Sequence, residues 1–310
     1  MKNQKGPDFL IVGCERSGTH WVTALLNSHP GVACFPAIAF RKESGEYSND
    51  FGEIHLFNTL ASLESDNKDK FVRPISNYLT THHKYFADLV PYEEKVPKEE
   101  LYEKFIQRYN ELCNSKRGMK KLVGETTASY IFHLDFIDSF YPMIKKLCII
   151  RNPKDQIVSW HFNDIRKGRK TEMTISDEFI LDYCRKRIIK EYESLLTYKG
   201  KVHCFTYESL TKNTKEVISG ILKYLEVQVG EELIGYMIDN ASFQKLTAID
   251  SGITSRTRGE ESIKSHYRKG VVGDWKNYLT DKQTKLVDQI LLNLRIKVFD
   301  KHNLSKDNII

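Results

Sequence analysis

The sequence predicts an α/β fold with a central parallel sheet flanked by helices, and three observations carry that expectation. Strand-length apolar runs at residues 9–12 (FLIV), 147–150 (LCII) and 202–205 (VHCF) are each followed by a pattern of helical period. No apolar run approaches the roughly 18 residues of a membrane span. Apolar residues make up 40% and charged residues 28% of the 310, a composition suited to a packed core rather than to a disordered or fibrous chain.

Each element follows in order. Residues 9–12 read as a buried strand, and Trp21, Val22, Ala24, Leu25 and Leu26 follow at helical spacing. Residues 121–124 add a short candidate strand. The run 147–150 precedes a helix through Ile157, Val158, Trp160 and Phe162; the run 202–205 precedes one through Val217, Ile218, Ile221, Leu222 and Leu225. Alternation of this kind builds parallel sheets. Two more amphipathic helices run through Phe179, Ile180, Tyr183, Ile188, Tyr192 and Leu195, and through Leu286, Val287, Ile290, Leu291 and Leu294. Residues 37–98 are irregular and rich in charge and aromatics; residues 248–269 are polar and punctuated by Gly252 and Gly259. No repeat and no Pro/Gly/Ser linker divides the chain, so one domain is expected over 1–310, with a core from about 8 to 300.

Charge and cysteines narrow the class. Lys and Arg number 47 against 41 Asp and Glu, a net charge of +6. That excess fits a polyanionic ligand, a nucleic acid or no anionic partner at all, and without a long basic block nucleic acid is the minor option. Cys14, Cys34, Cys113, Cys148, Cys184 and Cys204 are scattered, with no C-x-x-C pair, which favours a reducing compartment over a disulfide framework. The polar residues 1–7 meet an apolar run of only four, so no secretory signal is expected, no membrane partner, and a cytoplasmic location.

The sharpest local signal is GCERSGTHW at residues 13–21, between the first strand and the first helix. A glycine-bearing turn that opens a helix presents amides and the positive end of the helix dipole to an anion. The G-x-x-x-x-G spacing is that of a nucleotide phosphate loop, so the sheet is P-loop-like. Such a loop continues with Lys and then Ser or Thr; here Thr19 and His20 stand in those places. Kinase or ATPase chemistry is therefore disfavoured, and Arg16 is the cation within the loop.

Residues 9–32, FLIVGCERSGTHWVTALLNSHPGV, resemble the 5′-phosphosulfate loop of the sulfotransferases that use 3′-phosphoadenosine 5′-phosphosulfate (PAPS) and release the bisphosphate PAP. Arg16, Ser17, Gly18, Thr19 and His29-Pro30 match that family's P-[KR]-[ST]-G-T-T…HP pattern; Glu15 replaces the proline and His20 the second threonine. Residues 147–161, LCIIRNPKDQIVSWH, resemble its 3′-phosphate segment, with Arg151 ending a strand and Ser159 eight residues later. Arg offers a planar fork to phosphate oxygens. Residues 268–277, RKGVVGDWKN, resemble the C-terminal signature of the cytosolic type, in which Arg268, Lys269 and Gly270 would hold the 3′-phosphate.

The resemblance also implies that Trp21, Phe243 and Tyr207 lie around the adenine, that 37–119 is a substrate-facing insertion, and that 246–270 covers the cofactor. It implies PAPS as the donor with no metal. The acceptor would be a small molecule, a sugar or a peptide, taking the sulfuryl group on a hydroxyl or amine. A base must deprotonate that acceptor. The histidine segment of the cytosolic branch is missing, and Thr81-His82-His83 is too far from Arg151 to replace it. Residues 124–130, GETTASY, instead resemble a segment of the carbohydrate-type and bacterial branch. That branch points to Glu53 as the base, with His55 as second choice, in GEIHLF (52–57), displaced by an insertion near 38–50. His20 is a third option, while His133, His161 and His203 read as structural. Tyr47, Phe51, Phe57, Tyr78, Tyr85 and Phe86 line an acceptor pocket or fill the core. The family's dimerisation motif is broken, since Asp281 and Lys285 follow Lys276 and Thr280. Two other readings stay open: a degenerate P-loop small-molecule kinase, and a non-catalytic PAP-binding protein of the same fold.

Overall fold

The computed structural model describes residues 6–35, 53–65, 71–72, 96–117, 122–251 and 255–305. In chain order the elements are β1 (Phe9–Val12), α1 (Thr19–Asn27), β2 (Val32–Phe35), α2 (Leu56–Ser65), β3 (Phe71–Val72), β4 (Val96–Pro97), α3 (Lys98–Arg117), β5 (Leu122–Thr126), α4 (Leu134–Phe140), β6 (Lys145–Ile150), α5 (Pro153–Arg166), α6 (Asp177–Tyr183) and α7 (Ile189–Thr197). There follow β7 (His203–Thr206), α8 (Tyr207–Lys212), α9 (Thr214–Tyr224), α10 (Glu231–Asn240), α11 (Phe243–Ser251) and α12 (Asp281–Lys301).

Five strands form a parallel sheet in the order β2-β5-β1-β6-β7, and the α/β expectation holds. β1 is central and fully buried, as its unbroken FLIV run requires of a strand covered on both faces. One apolar cluster packs on each face. Leu10, Val12, Cys148 and Ile150 point into one; Phe9, Ile11, Leu147 and Ile149 point into the other. The chain crosses from β5 on one side of β1 to β6 on the other. A crevice therefore opens beyond the carboxyl ends of β1 and β6, where α/β sheets bind ligands.

Several elements were not legible as such. β2 is a four-residue edge strand that directly follows His29-Pro30. β6 begins two residues before the apolar run, at Lys145-Lys146; Lys146 is buried because its ammonium pairs with Asp138. Residues 37–119, expected to be an insertion that runs irregularly over 37–98, carry regular helices where they are described. α2 and the 20-residue α3 lie there, and Leu101, Phe105, Tyr109 and Cys113 of α3 form a buried stripe at intervals of four. The 13 polar residues of α3 around that stripe dilute its period in the sequence. Tyr47, Phe51, Tyr78, His82, His83, Tyr85 and Phe86 lie outside the described residues; Phe57 is core, edge-on to Tyr109 and Tyr130.

The helical pattern at 179–195 is α6 and α7 joined by a π-helical turn, Cys184–Ile188. Thr280 caps α12, its Oγ1 accepting from Gln283 N at 3.2 Å while Gln283 Oε1 accepts from Thr280 N at 3.0 Å. No helix among the described residues is long and apolar enough to cross a membrane.

Candidate active site

The loop after β1 turns on two backbone requirements. Gly18 has φ +105, and a Cβ there would come within 2.7 Å of Tyr207 Cδ2, so only glycine lets α1 start this close to α8. Arg16 adopts φ +71, a conformation an L-residue holds only when its surroundings dictate it. Those surroundings are visible. Arg16 Nε donates to Ser159 Oγ at 3.2 Å, and Nη2 donates to the His266 carbonyl at 3.1 Å. Beneath the loop, Cys14 N donates to the buried Glu191 Oε1 at 2.7 Å, and Tyr183 OH donates to the Glu15 carbonyl at 3.1 Å. The π-helical turn lies between these two anchoring side chains.

β6 ends at Ile150, and Arg151 follows. Its Nη1 donates to the Arg16 carbonyl at 3.0 Å, its guanidinium lies 4.4 Å over the Tyr207 ring, and its Nε is buried without a hydrogen-bond partner. A buried guanidinium N–H left open asks for an anion. Asp155 does not pair with Arg151; it accepts from Gly273 N at 2.8 Å and Trp275 N at 3.0 Å, fastening the C-terminal motif to the start of α5. Trp21 Nε1 donates to the Ala241 carbonyl at 3.0 Å, and Tyr207 meets the indole edge-on.

These groups surround one cavity. Its wall contains Arg16, Gly18, Thr19, His20, Trp21, Arg151, Ser159, Tyr207, Phe243, Arg268, Lys269 and Gly270, twelve of the residues expected at the cofactor. The first-turn amides of α1 face no acceptor within the helix itself, as at any helix N-terminus. Ser17 stands apart: it is fully buried, and its Oγ accepts from Gln156 Nε2 at 2.7 Å, so its side chain braces α5 instead of lining the cavity. Leu246, Arg258, His266, Tyr267 and Val271 also line the wall and were not singled out from sequence. Four of them sit on 255–271, whose path over the cavity depends on long-range contacts. Asp250 accepts from His266 N at 2.9 Å, and Arg256 donates to the carbonyls of Glu260, Tyr267 and Arg268 at 2.6–2.9 Å. The expected covering segment 246–270 begins inside α11, and its residues 252–254 lie outside the described residues.

Electrostatics separates the basic groups. Burial and the neighbouring Arg166 and Arg151 press Arg16 down to about 10, so it remains a cation at neutral pH. Burial and Arg16 hold His20 down to about 4, its ring edge-on to His266 at 4.7 Å. His20 is thus neutral at pH 7 and no substitute for a phosphate-loop cation, which also weakens it as a base. Arg268 lines the cavity but pairs with Asp274 and Glu261, and Lys269 Nζ lies 2.7 Å from Asp274 Oδ1.

Glu53 and His55 come together, Oε2 to Nε2 at 3.5 Å, but neither belongs to the cavity wall. Glu53 Oε1 accepts from Ala128 N at 3.2 Å, and the carboxyl feels the charges of Glu15 and Glu125, which raise it, and of Lys167, which lowers it. Burial raises it to about 8, against the pull of the Ala128 N–H. A second carboxyl, Glu125 of β5, is wholly buried, accepts from Thr127 Oγ1 at 2.7 Å and from Tyr109 OH, and is raised by burial to about 7. Its enclosure marks it as structural. Among the described residues, no group of His, Cys, Asp or Glu is placed to hold a metal ion.

Gly270 gives a direct test of the wall. With φ +71 and a Cβ that would fall 2.5 Å from Phe243, Gly270→Ala combines backbone strain with a ring collision. A loss of about 1–3 kcal/mol of stability is expected in thermal denaturation. An unchanged melting temperature would show that the turn relaxes freely.

Comparison with known proteins now has a site to refer to. The chain is 27% identical to human sulfotransferase 2B1 over 168 residues, covering 50% of this chain and 45% of that protein. It is 23% identical to cytosolic sulfotransferase 10 of Arabidopsis thaliana over 202 residues, covering 58% and 60%. The chain spans about half the length of the curated relatives it matches. Its fold is that of mouse sulfotransferase SULT7A1, solved in complex with PAP (TM-score 0.56, 18% identity, 96% of this chain and 90% of that one). A sulfotransferase from Alicyclobacillus acidocaldarius shares it too (TM-score 0.53, 16% identity, 98% and 99%). Residues 6–298 match the family described as Sulfotransferase domain, and with nearly the whole chain matched, this protein belongs to that family.

Proposed function

We propose that this protein transfers a sulfuryl group from PAPS to a hydroxyl or amine of an acceptor and releases PAP. The observation that carries the reading is a cavity beyond the carboxyl ends of β1 and β6. There an arginine-bearing phosphate loop, a second arginine with an open N–H, and a cluster of aromatic rings share one wall. Its mix of cations and rings suits a nucleotide with phosphates at both ends. When bound, PAPS supplies the sulfuryl group and the phosphate oxygen from which it departs.

The chain's residues divide the work. Arg16, held by Ser159 and the His266 carbonyl, sets a fixed cation where charge develops on the departing oxygen. The amides of Gly18, Thr19 and His20 add the helix N-terminus. Arg151 and Ser159, together with the 268–270 turn, take the 3′ side, while Trp21, Tyr207 and Phe243 hold the purine. Ser17 acts through the shape of the loop. Glu53, positioned by Ala128 N and His55, receives the acceptor's proton. The six cysteines are free, and the plant relatives are named as cytosolic; both support a cytoplasmic location.

Melting curves with each nucleotide separate the readings. PAP at a hundredfold excess over its Kd is expected to raise the melting temperature by about 4 °C, and ATP with magnesium to leave it unchanged. Stabilisation by ATP alone would favour the kinase reading. Incubation with PAPS and a panel of alcohols, phenols, amines, sugars and tyrosyl peptides, read by mass spectrometry, then identifies the sulfated product. PAP binding without transfer to any acceptor would favour a binding protein.

A further inference from the structure

Five cations line the cavity: Arg16, Arg151, Arg258, Arg268 and Lys269. Their charges are not equally available. Arg268 and Lys269 share the buried Asp274, and Arg268 also pairs with Glu261. Two positive and two negative charges therefore meet within one turn, and the 268–269 pair is electrically balanced. Arg268 is further enclosed between the rings of Phe162 and Tyr278, 4.5 and 5.3 Å from its guanidinium. A phosphate approaching this turn finds the Gly270 backbone but little net charge.

Arg258 is placed to make up that deficit. Among the described residues no carboxylate lies within ion-pair distance of it. Its Nη1 donates to the Gly270 carbonyl at 3.3 Å, a long bond, and its guanidinium lies 4.7 Å over the Trp21 ring. Its backbone is better fixed than its side chain. Gly259 N donates to the Lys269 carbonyl at 3.0 Å, Thr257 N donates to Glu260 Oε2 at 2.9 Å, and Arg256 ties the loop to 267–268. An exposed arginine on an anchored loop can move its charge by several ångströms without moving the chain.

We propose that Arg258 is a further phosphate-binding residue of this cavity. It pairs with the ribose-side phosphate of a 3′,5′-bisphosphorylated purine nucleotide stacked on Trp21. The inference rests on the nucleotide reading above and adds to it a cation outside the three motifs. It explains how a signature whose own cations are neutralised still faces a dianion: the missing charge comes from ten residues earlier, across Gly270.

Isothermal titration with PAP tests this on the full chain. Arg258→Ala is expected to weaken PAP binding about tenfold or more, the scale of one charge-assisted hydrogen bond. Arg258→Lys should recover part of the loss, and Lys264→Ala, an exposed cation on the same loop but off the cavity wall, should bind as the wild type does. Binding by Arg258→Ala within twofold of wild type would overturn the assignment. So would a loss that Lys does not relieve and that accompanies a lower melting temperature without PAP, since the residue would then be structural. A wild-type chain that does not bind PAP at all would instead overturn the nucleotide reading itself.

Discussion

Replacing Arg16 with alanine is expected to lower sulfuryl-transfer turnover by about 100- to 1,000-fold while PAP affinity falls far less. The asymmetry follows from where the guanidinium is held. Ser159 Oγ and the His266 carbonyl fix it beside the phosphate loop, where in the proposed reaction the bridging oxygen would gain charge as the sulfuryl group leaves. A cation that acts on charge developing in the transition state affects turnover. The PAP phosphates keep the α1 amides and Arg151. Lysine at 16 restores the charge but not both anchoring bonds, so Arg16→Lys should fall between alanine and wild type. Turnover in Arg16→Ala equal to wild type would remove Arg16 from the chemistry. A Kd that rises as steeply as turnover falls would make it a binding residue only.

Glu53→Gln is expected to lower turnover by about 100-fold or more and to abolish a pH dependence centred near 8. Burial first, then Glu15 and Glu125, raise the carboxyl to about 8 against the pull of the Ala128 N–H. A base works deprotonated, so wild-type kcat/KM should climb with pH and level off above about 8, whereas the residual activity of the glutamine variant stays flat across that range. Full turnover in Glu53→Gln would transfer the role to His55 or to a group outside the described residues.

The same shift has a consequence for stability, opposite in sign to that for activity. A carboxyl raised on folding keeps its proton longer in the native chain than in the unfolded one. Its contribution is complete below the unfolded value of about 4.5 and is lost as pH rises through about 8. Glutamine cannot ionise. Glu53→Gln should therefore melt higher than wild type above pH 8, even as it loses activity, and that combination separates a removed base from a damaged fold.

How far the sequence could be read depended on how local each signal was. Gly13 to Trp21 is a continuous motif whose glycines, cation and helix start act within one turn, and Arg16, Gly18, Thr19, His20 and Trp21 of it line the cavity while Ser17 turns inward. Arg151 and Ser159 lie on a strand end and the following helix, a spacing set by regular geometry. β2 and α3 were hidden because one is four residues at an edge and the other carries its apolar stripe among charges. Glu53 and His55 were chosen on a displaced resemblance. Their 3.5 Å approach, and the left-handed φ of +55 at His55, became visible only once α2 and the turn after β5 were packed together.

By itself, then, the sequence determined the parallel α/β class and singled out twelve residues that share one cavity wall. Strand periodicity, the glycine turn and arginines at strand ends are short-range properties of the chain. Only the tertiary structure decided how charge is distributed on that wall. Ser17 is turned inward to Gln156, 139 residues away; Asp155 holds Gly273, 118 residues away; and Asp274 with Glu261 neutralises Arg268 and Lys269. Coulomb energies depend on distance in space and on burial, not on separation along the chain. The net charge of +6 is too small to single out a partner; packing decided which cations of the wall are already paired with carboxylates.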